Sequence, residues 1–386
     1  MKKKMTVLLL CLPLLISMTD CMVYASNVSE PSSSVVSYDY EAQMEASGAT
    51  ELWNELPSET QKDLQRLGIE GVTSDALSSL KAEEVVNTLL SVTQREMRTP
   101  LTSLGFLLAL LLLASFFKGG EDTLDSPLAP TVGSVMAMAV GVTLGAPVFA
   151  LIGQIGQASQ TACSFTQAYG VVLLGILLAN GQAVMAASCR SVLFGAVEVC
   201  AICVRELILP LLQIFLALSC VSSFSETIRI DAIVRFFEKN AKWMLSFLAV
   251  TLTAVLSLSG AIAASADNLA ARTARFVIAG SVPVVGGAMG DAYLTIQSGM
   301  SLVRGSVGAF GIIAVGCVYL PLMIRTILWR MVIDVGLAVC EVLELHTVDK
   351  LMKSLSAVLS LMLGVMIFSL FLLTLGSILA VMQQKL

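Results

Sequence analysis

Continuous apolar runs, rather than alternation, dominate the chain. They fall at 101–117, 132–152, 168–187, 191–224, 244–264, 305–329 and 355–382. Each reaches or approaches the roughly 20 residues an α-helix needs to cross a bilayer. A transmembrane β-barrel would instead alternate within strands of about ten residues. The pattern predicts an all-α polytopic membrane protein with about 6–8 transmembrane helices.

The interruptions of these runs carry the remaining information. Gln154, Gln157, Gln160 and Gln167 recur between the second and third runs. They either line a wet cavity or mark an interfacial loop. Arg205, Glu206 and Pro210 interrupt 191–224, which reads as one kinked helix or two half-helices. Arg205 and Glu206 are sequence neighbours, so on an α-helix their side chains diverge and each needs its own partner. Residues 227–243 are amphipathic, with Ile228, Ile230 and Phe236 against Arg229, Arg235 and Lys239, and suit the membrane interface. The sharpest interruption is Pro283-Val284-Val285-Gly286-Gly287, followed by Gly290-Asp291. Proline removes a backbone donor. Broken backbone at membrane depth survives only where protein covers it or where it lines a cavity. A broken or re-entrant segment inside the bundle is therefore expected, with Pro283, Gly286, Gly287, Gly290 and Asp291 as the candidate path or helix break.

Ahead of the first run lies a different composition. Residues 1–25 read as a signal peptide, with Lys2, Lys3 and Lys4 before a short apolar core and Val23-Tyr24-Ala25 as cleavage site. An uncleaved anchor is the alternative. Cys21 follows Asp20, which does not suit lipidation. Residues 26–50 read as a disordered acidic linker. Residues 51–98 read as a small helical extracytoplasmic region. Ser58 is the expected N-cap, Gln61 the capping-box partner and Gly68 the stop. Asp75 is the expected cap of a second helix bearing Leu77, Leu80, Val85, Leu89 and Val92. Residues 99–386 form the multi-span domain. A weak internal repeat over about 190–265 and 300–382 is suggested by Leu209-Pro210-Leu211 against Leu320-Pro321-Leu322. Chance matching of apolar sequence is the competing account.

Composition narrows the chemistry. The chain of 386 residues is 56% hydrophobic and 13% charged, against about 25% charged in soluble domains, and its mean hydropathy is +0.85. The net charge of −5 is concentrated in 26–98, which holds 13 acidic and 5 basic residues. No basic patch points to nucleic acid. The single histidine, His346, rules out a multi-histidine metal site. Cys200 and Cys203 lie in an apolar run and read as buried thiols rather than a redox pair. No metal or cofactor is called for. Intramembrane charges are functional candidates by default: Arg205, Glu206, Asp267, Arg272, Arg275, Arg304 and Asp334. Arg325, Arg330, Lys350 and Lys353 read instead as snorkelling side chains.

The order of parts, together with Leu56-Pro57, Leu67-Gly68-Ile69 and the Pro283–Ala292 motif, resembles stage III sporulation protein AE of endospore-forming Firmicutes. The resemblance implies a protein of the mother-cell-derived outer forespore membrane, with 26–98 in the intermembrane space. It implies partners among other stage III sporulation membrane proteins: ring-forming subunits, a secretion-type ATPase and a forespore-side partner. It implies a subunit of a channel- or secretion-like complex required for late forespore development. A permease-like secondary transporter is the alternative. An intramembrane enzyme is the weakest reading, because no converging catalytic groups are visible, and no catalytic residue is assigned. Asp291→Ala is expected to abolish sporulation while leaving membrane insertion intact. Spore counts beside a membrane-fraction immunoblot check this, and wild-type spore yield would refute the role of Asp291.

Overall fold

The computed structural model describes residues 44–45, 47–72, 82–121, 129–179, 182–224, 231–281 and 286–382. The expected signal, most of the expected linker, Asp75, Leu77, Leu80 and Pro283 lie outside them. All the regular structure among the described residues is helical. We number the helices α1 (Ser58–Arg66), α2 (Ala82–Glu121), α3 (Ala129–Ala179), α4 (Ala183–Ser188), α5 (Phe194–Ile202), α6 (Leu209–Phe224), α7 (Asp231–Ser281), α8 (Gly286–Val342) and α9 (His346–Met382). Among the described residues, six helical stretches are long and apolar enough to cross a membrane.

Helix continuity is the main departure from the sequence reading. The runs at 132–152 and 168–187, expected as separate spans, begin and largely lie within one helix, α3. The glutamines between them are therefore not in a loop. Glutamine is a good helix former, and a change of side-chain polarity leaves the i→i−4 ladder intact. The amphipathic stretch around Arg235 likewise continues into the next apolar run as α7, and 305–329 continues through Asp334 as α8. Pro100, Pro147 and Pro321 sit inside helices without ending them. Packed neighbours and local adjustment satisfy the carbonyls that proline frees. At 57 residues, α8 is about 85 Å long at ~1.5 Å per residue. A hydrocarbon core is about 30 Å, so much of α8 is covered by protein or lies beyond the acyl chains.

Between α4 and α6 the chain stays helical but widens twice, into π-helical segments at Cys189–Leu193 and Cys203–Ile208. Pro210 follows the second as the second residue of α6. A π segment is one of the few recognised ways to absorb a helix irregularity. Of the two readings of 191–224, a single distorted helical run is the one observed. Leu320-Pro321-Leu322 sits in a plain helix interior instead, so the two matching triplets occupy different local settings.

Packing fixes the helix directions. Glu96 meets Arg325, a separation of 229 residues, and Leu107 meets Gly336 at the same offset, so α2 and α8 run parallel. Gln154 meets Arg325 while Tyr169 meets Gly311, so α3 and α8 are antiparallel. Gly145, Gly156 and Gly170 of α3 face Cys220, Leu209 and Phe194, so α3 also opposes α5 and α6. α8 and α9 form an antiparallel hairpin, the most extensive pairing in the molecule.

The N-terminal unit is docked on this bundle. Leu52, Leu56, Leu64, Leu67 and Ile69 belong to the same buried cluster as Phe165 and Phe310, and the Trp53 and Phe310 ring centroids lie 6.4 Å apart. A 3-10 turn at Ala49–Trp53 crosses the expected linker boundary, with Ala49 and Leu52 buried. Pro57, not Ser58, occupies the N-cap position of α1. Gln61 Nε2 turns back to donate to the Trp53 and Leu56 carbonyls at 2.8 and 3.0 Å, so it braces the preceding turn instead of boxing the helix start. Gly68 ends α1 at φ 77°, a left-handed conformation suited to glycine.

Among the described glycines the tightest is Gly170, where an added Cβ would lie 1.8 Å from the Phe194 ring. Gly170→Ala is expected to destabilise the bundle by about 1–3 kcal/mol, the usual range for overpacking. Gly175→Ala, with nothing within 4 Å, is expected to be near neutral. Thermal melts in detergent distinguish the two.

Candidate functional site: a charge relay between the N-terminal unit and the bundle

Asp63 of α1 is fully buried, which a carboxylate tolerates only with charged or hydrogen-bonding partners. It accepts from Arg66 Nη1 at 3.1 Å and lies 3.6 Å from Arg95 Nη2 of α2. Arg95 Nε in turn donates to Glu96 Oε1 at 3.2 Å. Glu96 is 7% exposed, and its other oxygen accepts from Arg325 Nε at 2.6 Å. Arg325 Nη1 completes the line by donating to Gln154 Oε1 of α3 at 2.7 Å. An alternating row of charges thus runs from the N-terminal unit through α2 to α8 and α3.

Local sequence explains how the row is assembled. Asp63 and Arg66 are three apart on one helix and so share a face. Arg95 and Glu96 are adjacent on α2 and their heads meet at 3.2 Å, while Arg95 also reaches Asp63 of α1 and Glu96 also reaches Arg325 of α8. Arg325 extends a planar guanidinium with donors on several edges, which lets one side chain serve α2 and α3 together.

Among the described side chains, the candidate charges fall in separate contacts. Arg205 Nε donates to Glu206 Oε1 at 2.8 Å and its Nη1 to Gln160 Oε1 at 3.1 Å. The expected divergence of Arg205 and Glu206 is therefore overturned. They sit in the π-helical segment, but Arg95 and Glu96 pair in the same way within the α-helix α2, so the length of the arginine side chain is enough to bring neighbouring heads together. Arg304 is buried and donates to Gln182 Oε1 at 2.6 Å, tying α8 to the connection before α4. Asp334 accepts from Ser356 Oγ at 3.5 Å within the α8–α9 hairpin. Gly286, Gly287, Gly290 and Asp291 fall in the opening turns of α8, and Asp267, Arg272 and Arg275 on α7. The side-chain environments of these residues lie outside the described residues. Arg325, expected to snorkel, turns inward to Glu96 instead.

Asp63, Arg95 and Glu96 carried no sequence signal. Their partners come from other helices, and a 229-residue separation leaves no local pattern. The glutamines did carry one: Gln154, Gln160 and Gln167 each contact a charged group on another helix, namely Arg325, Arg205 and Glu198. Cys200 and Cys203 are reduced thiols. Among the described residues, no group of three or more His, Cys, Asp or Glu side chains is placed to hold a metal ion. Thr166, Tyr169, Gly311 and Thr374 help line a crevice of about 10 Å³, room for about one water.

A family model described as Stage III sporulation protein AE matches residues 69–383. The Bacillus subtilis (strain 168) protein named Stage III sporulation protein AE is 29% identical over 162 residues, a match spanning 42% of this chain and 41% of that relative. No solved structure matches the chain.

Glu96→Ala would remove the counter-charge of Arg325 and leave Gln154 as its remaining partner in the row. With Arg325 about a third exposed, the expected cost is about 1–3 kcal/mol, below the fully buried case. A double-mutant cycle of Glu96→Ala and Arg325→Ala, read by thermal melts, is expected to show favourable coupling of about 0.5–3 kcal/mol. Strict additivity would refute a functioning junction.

Proposed function

The chain belongs to the stage III sporulation protein AE family, and we propose that in sporulation it is a multi-span membrane subunit of a channel- or secretion-like complex connecting mother cell and forespore. On this reading it resides in the mother-cell-derived outer forespore membrane, with residues 26–98 in the intermembrane space. Its partners are ring-forming membrane subunits, a secretion-type ATPase and a forespore-side protein.

The observation that carries the reading is the Asp63–Arg95–Glu96–Arg325 row. A loosely tethered N-terminal unit would need no buried ionic connection to the bundle. A unit held at fixed orientation is suited to presenting a surface to partners outside the bilayer. The acidic composition of 26–98 favours basic partner surfaces by electrostatic complementarity. A secondary transporter is less well supported. Coupling charges of a transporter would gather at a binding site, whereas among the described side chains Arg205, Arg304 and Asp334 engage separate contacts.

Tagged full-length protein isolated from sporulating cells is expected to co-purify other sporulation membrane proteins. Asp63→Asn combined with Arg95→Gln is expected to reduce that recovery and the spore yield while the chain still reaches the membrane. Solute transport by the purified chain alone in liposomes would overturn the complex-subunit reading and favour the transporter.

A further inference from the structure

The outward face of α3 is apolar at both ends and polar in the middle. Val142 and Phe149 are exposed towards one end, Val171 and Leu178 towards the other. Between them Gln157, Gln160, Ser164 and Gln167 are exposed at successive steps of three or four residues, which places them on one helical face. Beside this column stands a second one, of exposed Glu198, Arg205 and Glu206. The two are joined by rungs: Gln167 Nε2 donates to Glu198 Oε2 at 2.9 Å, and Arg205 Nη1 donates to Gln160 Oε1 at 3.1 Å.

Both columns belong to stretches apolar enough to cross a membrane. Three formal charges and three amides are poorly suited to facing acyl chains. A central charge alone costs about 2.5–3.5 kcal/mol on insertion scales. The internal rungs leave guanidinium and amide N–H groups and carboxylate lone pairs on the same surface. That surface therefore offers donors and acceptors together, and it is complementary to itself.

We propose that this face is a contact between two copies of the chain. The columns stand side by side with their rung partners at equal height. A two-fold axis parallel to the helices leaves height unchanged and exchanges left for right. It therefore sets the amide column of each copy against the Glu198–Arg205–Glu206 column of the other. Gln160 then faces the second copy's Arg205 and Glu206 level, and Gln167 its Glu198 level. Both copies keep the same orientation in the membrane, and the contact is isologous, the commonest closed arrangement. The apolar flanks Phe149 and Val171 extend the contact along the helix on either side of the polar centre.

The test is a photo-crosslinking amino acid at Ser164, between the two rungs, in full-length protein in its native membrane. Phe247, exposed on α7, serves as the control position. Co-expressing two differently tagged copies is expected to give an adduct carrying both tags from position 164, with loss of that adduct at 247. Gln160→Leu with Gln167→Leu is expected to weaken self-association about tenfold, read by single-molecule subunit counting, without loss of membrane-inserted protein. Three results would overturn the proposal: adducts from 164 only to a different protein, adducts only to lipid, or labelling of Ser164→Cys by a membrane-impermeant thiol reagent with no two-tag adduct. The last would mark the face as the wall of an aqueous path. These outcomes bear on self-contact alone and leave the co-purification result unaffected.

Discussion

Three helices are held in register at one guanidinium. Arg325 of α8 reaches Glu96 of α2 and Gln154 of α3 at once, and apolar packing alone would not fix those helices along their axes. Smooth apolar surfaces slide; a buried carboxylate such as Glu96, its partner displaced by one turn, about 5.4 Å, is left unpaired at a cost of about 1–3 kcal/mol. Leu107 fits beside Gly336 because Glu96 is already opposite Arg325, both pairs having the same offset along parallel helices. Through Arg95 and Asp63 the same junction reaches α1, so the orientation of the N-terminal unit follows from it as well.

Class and composition of the fold are read directly from the apolar runs, because transfer of apolar surface from water is additive along the sequence. Helix number is harder. A run of glutamines looks like a boundary when hydropathy alone is averaged, yet Gln154 to Gln167 continue α3 without interruption. Polarity reports environment; only φ, a missing donor or a positive-φ residue reports a break. Even proline is ambiguous: Pro321 is absorbed into α8, whereas Pro210 follows a π-helical segment. Gly68 is the clear case, since a left-handed residue after an amphipathic turn is a backbone requirement that sequence states openly.

The candidate site was legible in one direction only. Gln154, Gln160 and Gln167 announce themselves as polar groups in apolar surroundings, and that oddity points to their charged partners. Asp63 and Glu96 sit in a segment rich in exposed acids, where nothing distinguishes a buried carboxylate from a solvated one. Burial at those positions depends on α8 arriving from more than two hundred residues away. Long-range pairing of this kind leaves no periodic trace.

Among the described residues, the polar groups beside α2 and those beside α3 divide by the direction they face. In the relay the carboxylates Asp63 and Glu96 are buried under partly exposed arginines, and every charge there meets an opposite charge within the chain. Those beside α3 are outward, and their pairing within the chain is incomplete in kind: a single arginine stands among two glutamates and three amides on that surface. An inward network costs desolvation once, on folding, and thereafter resists change. An outward network in an apolar stretch remains costly until something polar covers it, so the free energy of covering it is available to assembly and not to folding. One set of charges thereby holds the chain in a single shape, while the other makes that shape incomplete on its own.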